Sequence, residues 1–252
     1  MVGAAAAVLT RGRVAALVAV LAALVAWDAG AGRLPEVGHW PDVLVVSLFV
    51  LPLTFAVPWL ALPVAPMRLV LPLGATSVLL AVLFGLAGMG ALFNVAKLLA
   101  LVSVGYLFMQ LFEALSWVVL IALIIPWVDA LSVWRGPTDY VVSEQPSLFE
   151  RVSIGFRLPG EEGTANIGPP DILFFSLFLA TADRFGLRVR WTWISMVGLL
   201  SLTLIATTVF EIDGLPALPA IAVGFLLPNV DLLWRAWRER GLEIREGERP
   251  RG

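Results

Sequence analysis

The sequence predicts an all-α fold, a polytopic bundle of transmembrane helices, and three observations carry that expectation. Of 252 residues, 60% are hydrophobic and 14% charged, and mean hydropathy is +0.91. Apolar runs of about 20 residues, the length that crosses a bilayer core as a helix, recur along nearly the whole chain. Lys and Arg gather in short connections between those runs, as the positive-inside tendency requires. A soluble fold could not bury that much apolar surface, so the expectation is an integral, multi-pass protein of the cell membrane. Net charge is −2, with no basic tract and no interleaving of basic and aromatic residues, which argues against nucleic acid as a partner. The chain has no cysteine, which excludes a cysteine nucleophile and thiolate metal sites. Its one histidine, His39, falls in the polar connection GRLPEVGHWPD and reads as a loop residue, so no metal site is expected.

Eight spans follow in order, at approximately 12–28, 42–63, 68–89, 92–111, 114–134, 170–184, 191–211 and 215–236. The first could instead be a signal peptide, since Arg11 and Arg13 precede an apolar run ending in AGAG. Pro52 and Pro58 should kink or unwind the second helix, and Pro126 the fifth. Gly85, Gly88 and Gly90 read as close-packing positions between the third and fourth. Trp27, Trp40, Trp134, Trp191, Trp193, Trp234 and Trp237 lie near span ends and read as an interfacial belt. With eight spans, Arg11/Arg13, Arg68, Arg184/Arg188/Arg190 and Arg235/Arg238/Arg240 share one side, which puts both termini in the cytoplasm.

The chain divides as a single membrane domain, 1–252: N-terminal helices over 1–111, an aspartate helix pair over 112–184, C-terminal helices over 185–240 and a polar tail over 241–252. The long polar connection 135–168 joins the two aspartate helices. Within it Arg151 to Leu158 alternates, with Val152, Ile154, Phe156 and Leu158 on one side, and predicts a short strand before a PGEEG turn, against a solvated loop that merely alternates. A strand there could pair its free edge with an extended substrate backbone.

Asp129 in LIIPWVDALSVW and Asp171 in NIGPPDILFFSLFLA stand inside apolar stretches, where a carboxylate is costly and usually marks a working site. Asp129 falls roughly 8 Å inside the end of its helix, at 1.5 Å per residue. Asp171 falls in the first turn of the next, so an antiparallel pair brings both toward one membrane face. Asp171 also has a plain role open to it as an N-terminal helix cap; Asp129, late in its helix, has none. Two such carboxylates could share a proton and activate water. Asn94, Lys97, Gln110, Glu113 and Asp183 read as span ends or packing contacts outside the site.

VDALSVWRGPTDYVV, GPPDILFFSLFLA and LPALPAIAVGF, in that order, resemble the three signature regions of presenilin and signal peptide peptidase, the GxGD intramembrane aspartyl proteases. The similarity covers about 126–140, 166–182 and 213–226. It implies a presenilin-like helical bundle; the family has nine helices where eight spans are counted here, which leaves a ninth, N-terminal helix open. It further implies Asp129 and Asp171 as the catalytic pair, and Gly168, Pro169, Pro170, Pro216, Ala217 and Leu218 as substrate-binding positions. No cofactor is implied, and the substrates would be transmembrane segments or signal peptides. Val128 stands where the family has tyrosine, and Pro170 replaces the second glycine of GxGD, which bears on substrate fit and rate. Two other classes stay open: a catalytically silent binder of transmembrane segments, and an ion-coupled transporter using its carboxylates at mid-membrane.

Overall fold

The computed structural model describes residues 10–36, 38–135, 152–160, 164–210 and 216–247. Residues 136–151 of the polar connection, Glu161–Gly163 of the PGEEG turn, Leu215 of LPALP and 248–252 of the tail lie outside them. Among the described residues there are eight helices: α1 Arg11–Gly30, α2 His39–Val64, α3 Val70–Leu86, α4 Gly90–Gln110, α5 Leu115–Arg135, α6 Pro169–Arg184, α7 Val189–Val209 and α8 Leu218–Gly247. The last runs as Leu218–Leu226, a 3-10 turn Leu227–Asn229, and Val230–Gly247, and so continues beyond its expected end near 236. Between α5 and α6 stands a hairpin, β1 Ile154–Arg157 paired antiparallel with β2 Thr164–Ile167. The alternating segment is thus a strand, shorter than the alternation that announced it.

Six of these helices are long and apolar enough to cross a membrane, which makes this a multi-pass membrane protein. The two exceptions differ in kind. α3 has 17 residues, and many of its large side chains, Leu71, Leu79, Val82 and Leu86 among them, face outward. α6 has 16 residues, about 24 Å at the helical rise, and is wrapped by protein. Every residue from Phe175 to Ala182 is buried, including Ser176 and Thr181, whose hydroxyls donate to Ile172 and Leu177 carbonyls one turn back. A helix hidden all round needs no lipid-facing stripe.

The packing around α6 is aromatic on two sides. Phe175 meets Phe55 of α2 with ring centroids 4.2 Å apart, and Phe178 stacks on Phe225 of α8 at 4.8 Å. α4 comes close because Gly105 has no side chain: a Cβ there would lie 2.6 Å from the Leu173 carbonyl oxygen. Gly224 likewise lets α8 approach the Met196 backbone of α7. These, together with Gly74, where a Cβ would stand 3.0 Å from Ser103 Cβ of α4, pack helices closely, unlike the expected Gly85, Gly88 and Gly90. Gly88 has φ +69° and closes the end of α3, Gly90 faces open space, and Gly85 would tolerate a Cβ at 3.5 Å from Phe93.

Proline explains the irregular second helix. Pro52 brings no N–H to the Leu48 carbonyl, and the turn before it, Val46–Val50, widens to a π-helix. The carbonyl of Pro58 receives the Tyr106 hydroxyl, and that of Phe55 the Trp193 indole N–H at 2.8 Å. Trp193, stacked on Trp59, is therefore an internal strut. Trp27 is another, while Trp40, Trp191, Trp234 and Trp237 are exposed as an interfacial belt needs. Among the tryptophans whose side chains are described, which leaves out Trp134, the expected belt holds for these four, because an indole N–H within reach of a backbone carbonyl is better satisfied there than in the headgroups.

Candidate active site

Asp129 sits on the inward stripe of α5. Leu115, Val118 and Ala122 are buried, Ile125 is half-buried, and Asp129 continues that three-and-four spacing toward the end of the helix. Its neighbours point away: Trp127 is 73% and Val128 51% exposed. Val128, where the resembling family carries tyrosine, is thus on the flank of the helix and outside the carboxylate's surroundings.

Asp171 is the third residue of α6, after Pro169 and Pro170 at its first two positions. Neither proline costs a helical hydrogen bond, since the first amides of a helix have no partner within it. Proline in place of the family's glycine is therefore compatible with the start of this helix. Asp171 Oδ2 accepts the Gly168 N–H at 3.2 Å, and the Asp171 N–H returns a bond to the Gly168 carbonyl at 3.1 Å. The capping role open to Asp171 on sequence grounds is realised. Gly168 has φ −66°, a value any residue can adopt; what favours glycine is space, because a Cβ would stand 3.1 Å from Asp171 Oδ2 and press on the carboxylate.

The third motif closes the arrangement. Leu218 is the first residue of α8, and its amide, unpaired within the helix, donates to Asp129 Oδ2 at 3.0 Å. Pro216 and Ala217 lead into that turn, and the Ala217 carbonyl accepts from the Ala220 and Ile221 amides. α8 packs on both α5 and α6. Asp129 and Asp171 lie within electrostatic reach of each other. Each uses one carboxylate oxygen on a backbone amide at the start of a helix, and the other oxygen has no protein partner among the described residues.

All eight positions singled out from the sequence, Asp129, Asp171, Gly168, Pro169, Pro170, Pro216, Ala217 and Leu218, therefore fall on three segments that meet around two carboxylates. Two half-buried polar residues outside that set also bear on it. Asn94 Nδ2 donates to the Gly155 carbonyl at 2.9 Å, and Lys97 Nζ donates to the Ser153 carbonyl, so both reach the hairpin that leads into Gly168. They are packing contacts, as expected, but to the hairpin and not between helices. The signal was present: an amide and an amine three residues apart in an apolar span need partners on the same helix face. Gln110, by contrast, ends its span as expected, donating to the Ala65 carbonyl at 2.7 Å. The chain matches no protein-family model and no curated protein sequence.

Proposed function

We propose that this protein is an intramembrane aspartyl protease of the presenilin and signal peptide peptidase kind, with a presenilin-like arrangement of its last helices. It would hydrolyse peptide bonds in or near transmembrane segments and signal peptides. The observation that carries the reading is the hydrogen bond from Leu218 N–H to Asp129, which ties the third motif to the first on a helix that also packs against the Asp171 helix. Three motifs, separated by a strand pair and a whole helix in the chain, converge on one pair of acids.

The chemistry needs one carboxylate ionised and one protonated, a state that two close like charges favour because both cannot ionise cheaply. The ionised member takes a proton from water as the oxygen attacks the scissile carbonyl carbon. The protonated member gives its proton to the carbonyl oxygen, forming a tetrahedral diol. On collapse the first carboxyl gives its proton to the leaving amine as the C–N bond breaks, while a diol hydroxyl re-forms the carbonyl and returns its proton to the second carboxylate, which restores the pair to its starting state. Backbone amides on one oxygen of each carboxylate hold both in place while the other oxygen stays available. No metal or organic cofactor enters the cycle.

The test is cleavage of a panel of signal-peptide and single-span substrates in liposomes, with wild type beside Asp129→Asn and Asp171→Asn. Loss of cleavage in both variants, each folded, supports the protease. A second reading, a silent binder of transmembrane segments, is favoured by the cap at Asp171, which by itself accounts for an acid at that position. Capture of a segment without cleavage by wild type would select it.

A further inference from the structure

α6 and α8 both begin at the acids, and a second set of bonds ties their far ends together. Phe178 and Phe225, each seven residues past Asp171 and Leu218, stack on one another, so the two helices run side by side away from the site. α6 ends in a short turn, and α7 opens at Val189 with Arg188 at its cap position. Arginine has no acceptor to offer the unpaired amides of a helix start, and the Arg188 side chain makes no capping bond. The acceptor comes from α8: Asn229 Oδ1 receives the Arg188 N–H at 2.9 Å. Asn229 Nδ2 in turn donates to the Thr192 hydroxyl oxygen and to the Phe225 carbonyl, each at 2.8 Å. The 3-10 turn Leu227–Asn229 directs amides to carbonyls three residues back, and the Asn229 side chain serves the carbonyl four back. Asn229 and Thr192 are both fully buried. Asparagine's paired acceptor and donor fit this set: an acid has no hydrogen for the two acceptors, and a hydrocarbon leaves three polar groups unpaired.

We propose that Asn229 is a positioning residue: by tying α8 to the start of α7, it fixes the height and rotation of α8, and so the place of the Leu218 amide on Asp129. This rests on the proteolytic reading above, and it adds what aligns the two acids. Asn229 lies eleven residues past Leu218, about three helical turns. Slip of α8 by one residue would turn the Leu218 amide by about 100° and carry it about 1.5 Å along the axis, enough to break the bond to Asp129. Asp171 is held within its own helix by Gly168, whereas Asp129 takes its backbone amide from α8. Because α6 leads directly into Arg188, Asn229 refers the support of Asp129 to the helix that carries Asp171. Gly224, between Asn229 and the site, lets α8 lie against α7 along the way: a Cβ there would stand 2.6 Å from Met196 Cα.

Deuterium exchange at the Leu218 amide of the full-length protein reads its bond to Asp129 with no cleavage involved. Thr192→Val, which removes an acceptor at nearly constant shape, should speed that exchange about tenfold. In liposomes it should lower kcat about tenfold with KM changed less than about twofold. Thr192→Ser keeps a hydroxyl and should restore both. Asn229→Asp should act in the same direction and more strongly; should it fail to fold, the Thr192 pair is sufficient. Asp231→Ala removes only the exposed ion pair with Arg188 and should leave both readings near wild type. A merely structural role would lower the melting temperature of Thr192→Val while Leu218 exchange and the kcat of folded protein stay unchanged, and that result overturns the proposal. Failure of Thr192→Ser to restore the exchange rate overturns it as well. If wild type cleaves nothing, the proteolytic reading falls by itself, and the exchange rates still decide whether Asn229 sets the Leu218 amide.

Discussion

The two helices that carry the acids are opposites. α5 lies at the rim: Trp117, Leu123, Trp127 and Leu131 face outward, and a narrow inner stripe ends in Asp129. α6 stands at the centre, with every residue from Phe175 to Ala182 enclosed by α2, α4, α7 and α8. The two carboxylates are thus mounted on a wall, α5, and on a central post, α6. On the proteolytic proposal, a rim helix is the one that could shift to admit a substrate segment without opening the core, and the central helix would fix where the reaction occurs. The cost of disturbing each should differ accordingly, in activity for α5 and in stability for α6.

The largest effect tests what the two helices share. On the proteolytic proposal, Asp129→Asn and Asp171→Asn should each lower kcat at least about a thousandfold, as removal of a reacting group does in proteases. Both should melt like wild type in detergent, since an amide oxygen can still accept the Leu218 or Gly168 N–H. Should only one matter, the pairing of the acids is refuted.

Next, core truncations separate post from wall. Phe178→Ala removes a ring wholly buried against Phe225 and should cost about 3–5 kcal/mol of stability. Leu131→Ala, at a side chain 66% exposed, should cost no more than about 0.5 kcal/mol. Thermal unfolding in one detergent checks both, and equal losses would erase the distinction drawn between the helices.

Smaller effects sharpen the comparison at the start of α6. Gly168→Ala puts a Cβ 3.1 Å from Asp171 Oδ2 and should displace the carboxylate by a few tenths of an ångström, with cleavage falling about tenfold at little cost in stability. Pro170→Gly should be smallest. It relaxes an exposed second position whose N–H is unpaired in any case, for a loss of about 0.4–1 kcal/mol through the unfolded chain. Cleavage rates beside melting curves separate the two, and a large gain in rate for Pro170→Gly would show that proline, not the rim helix, limits access.

Much of this was legible in the chain. The eight helices begin and end within a few residues of where apolar runs, prolines and arginine clusters put them, save the longer α8, because span length is a local property. The strand at 154–157 was readable from its alternation. Asp129 and Asp171 were readable because an acid in an apolar run is conspicuous. The tryptophans and glycines were harder, since residues of one type do different work: Trp27 and Trp193 brace the interior while Trp237 faces outward, and Gly105 and Gly224 pack where Gly88 turns.

By itself, then, the sequence determined a multi-pass helical bundle, the order of its helices and two acids in sequential helices, all set by composition and short-range spacing. Only the tertiary structure decided that the backbone N–H of Leu218 serves Asp129, that α6 is the buried post, and that Asn94, Lys97 and Trp27 reach the hairpin. Backbone amides are the same in every non-proline residue, and contacts across 89 residues, as between Asp129 and Leu218, leave no local periodicity to read. They arise when buried polar groups must find partners among whichever segments packing has brought near.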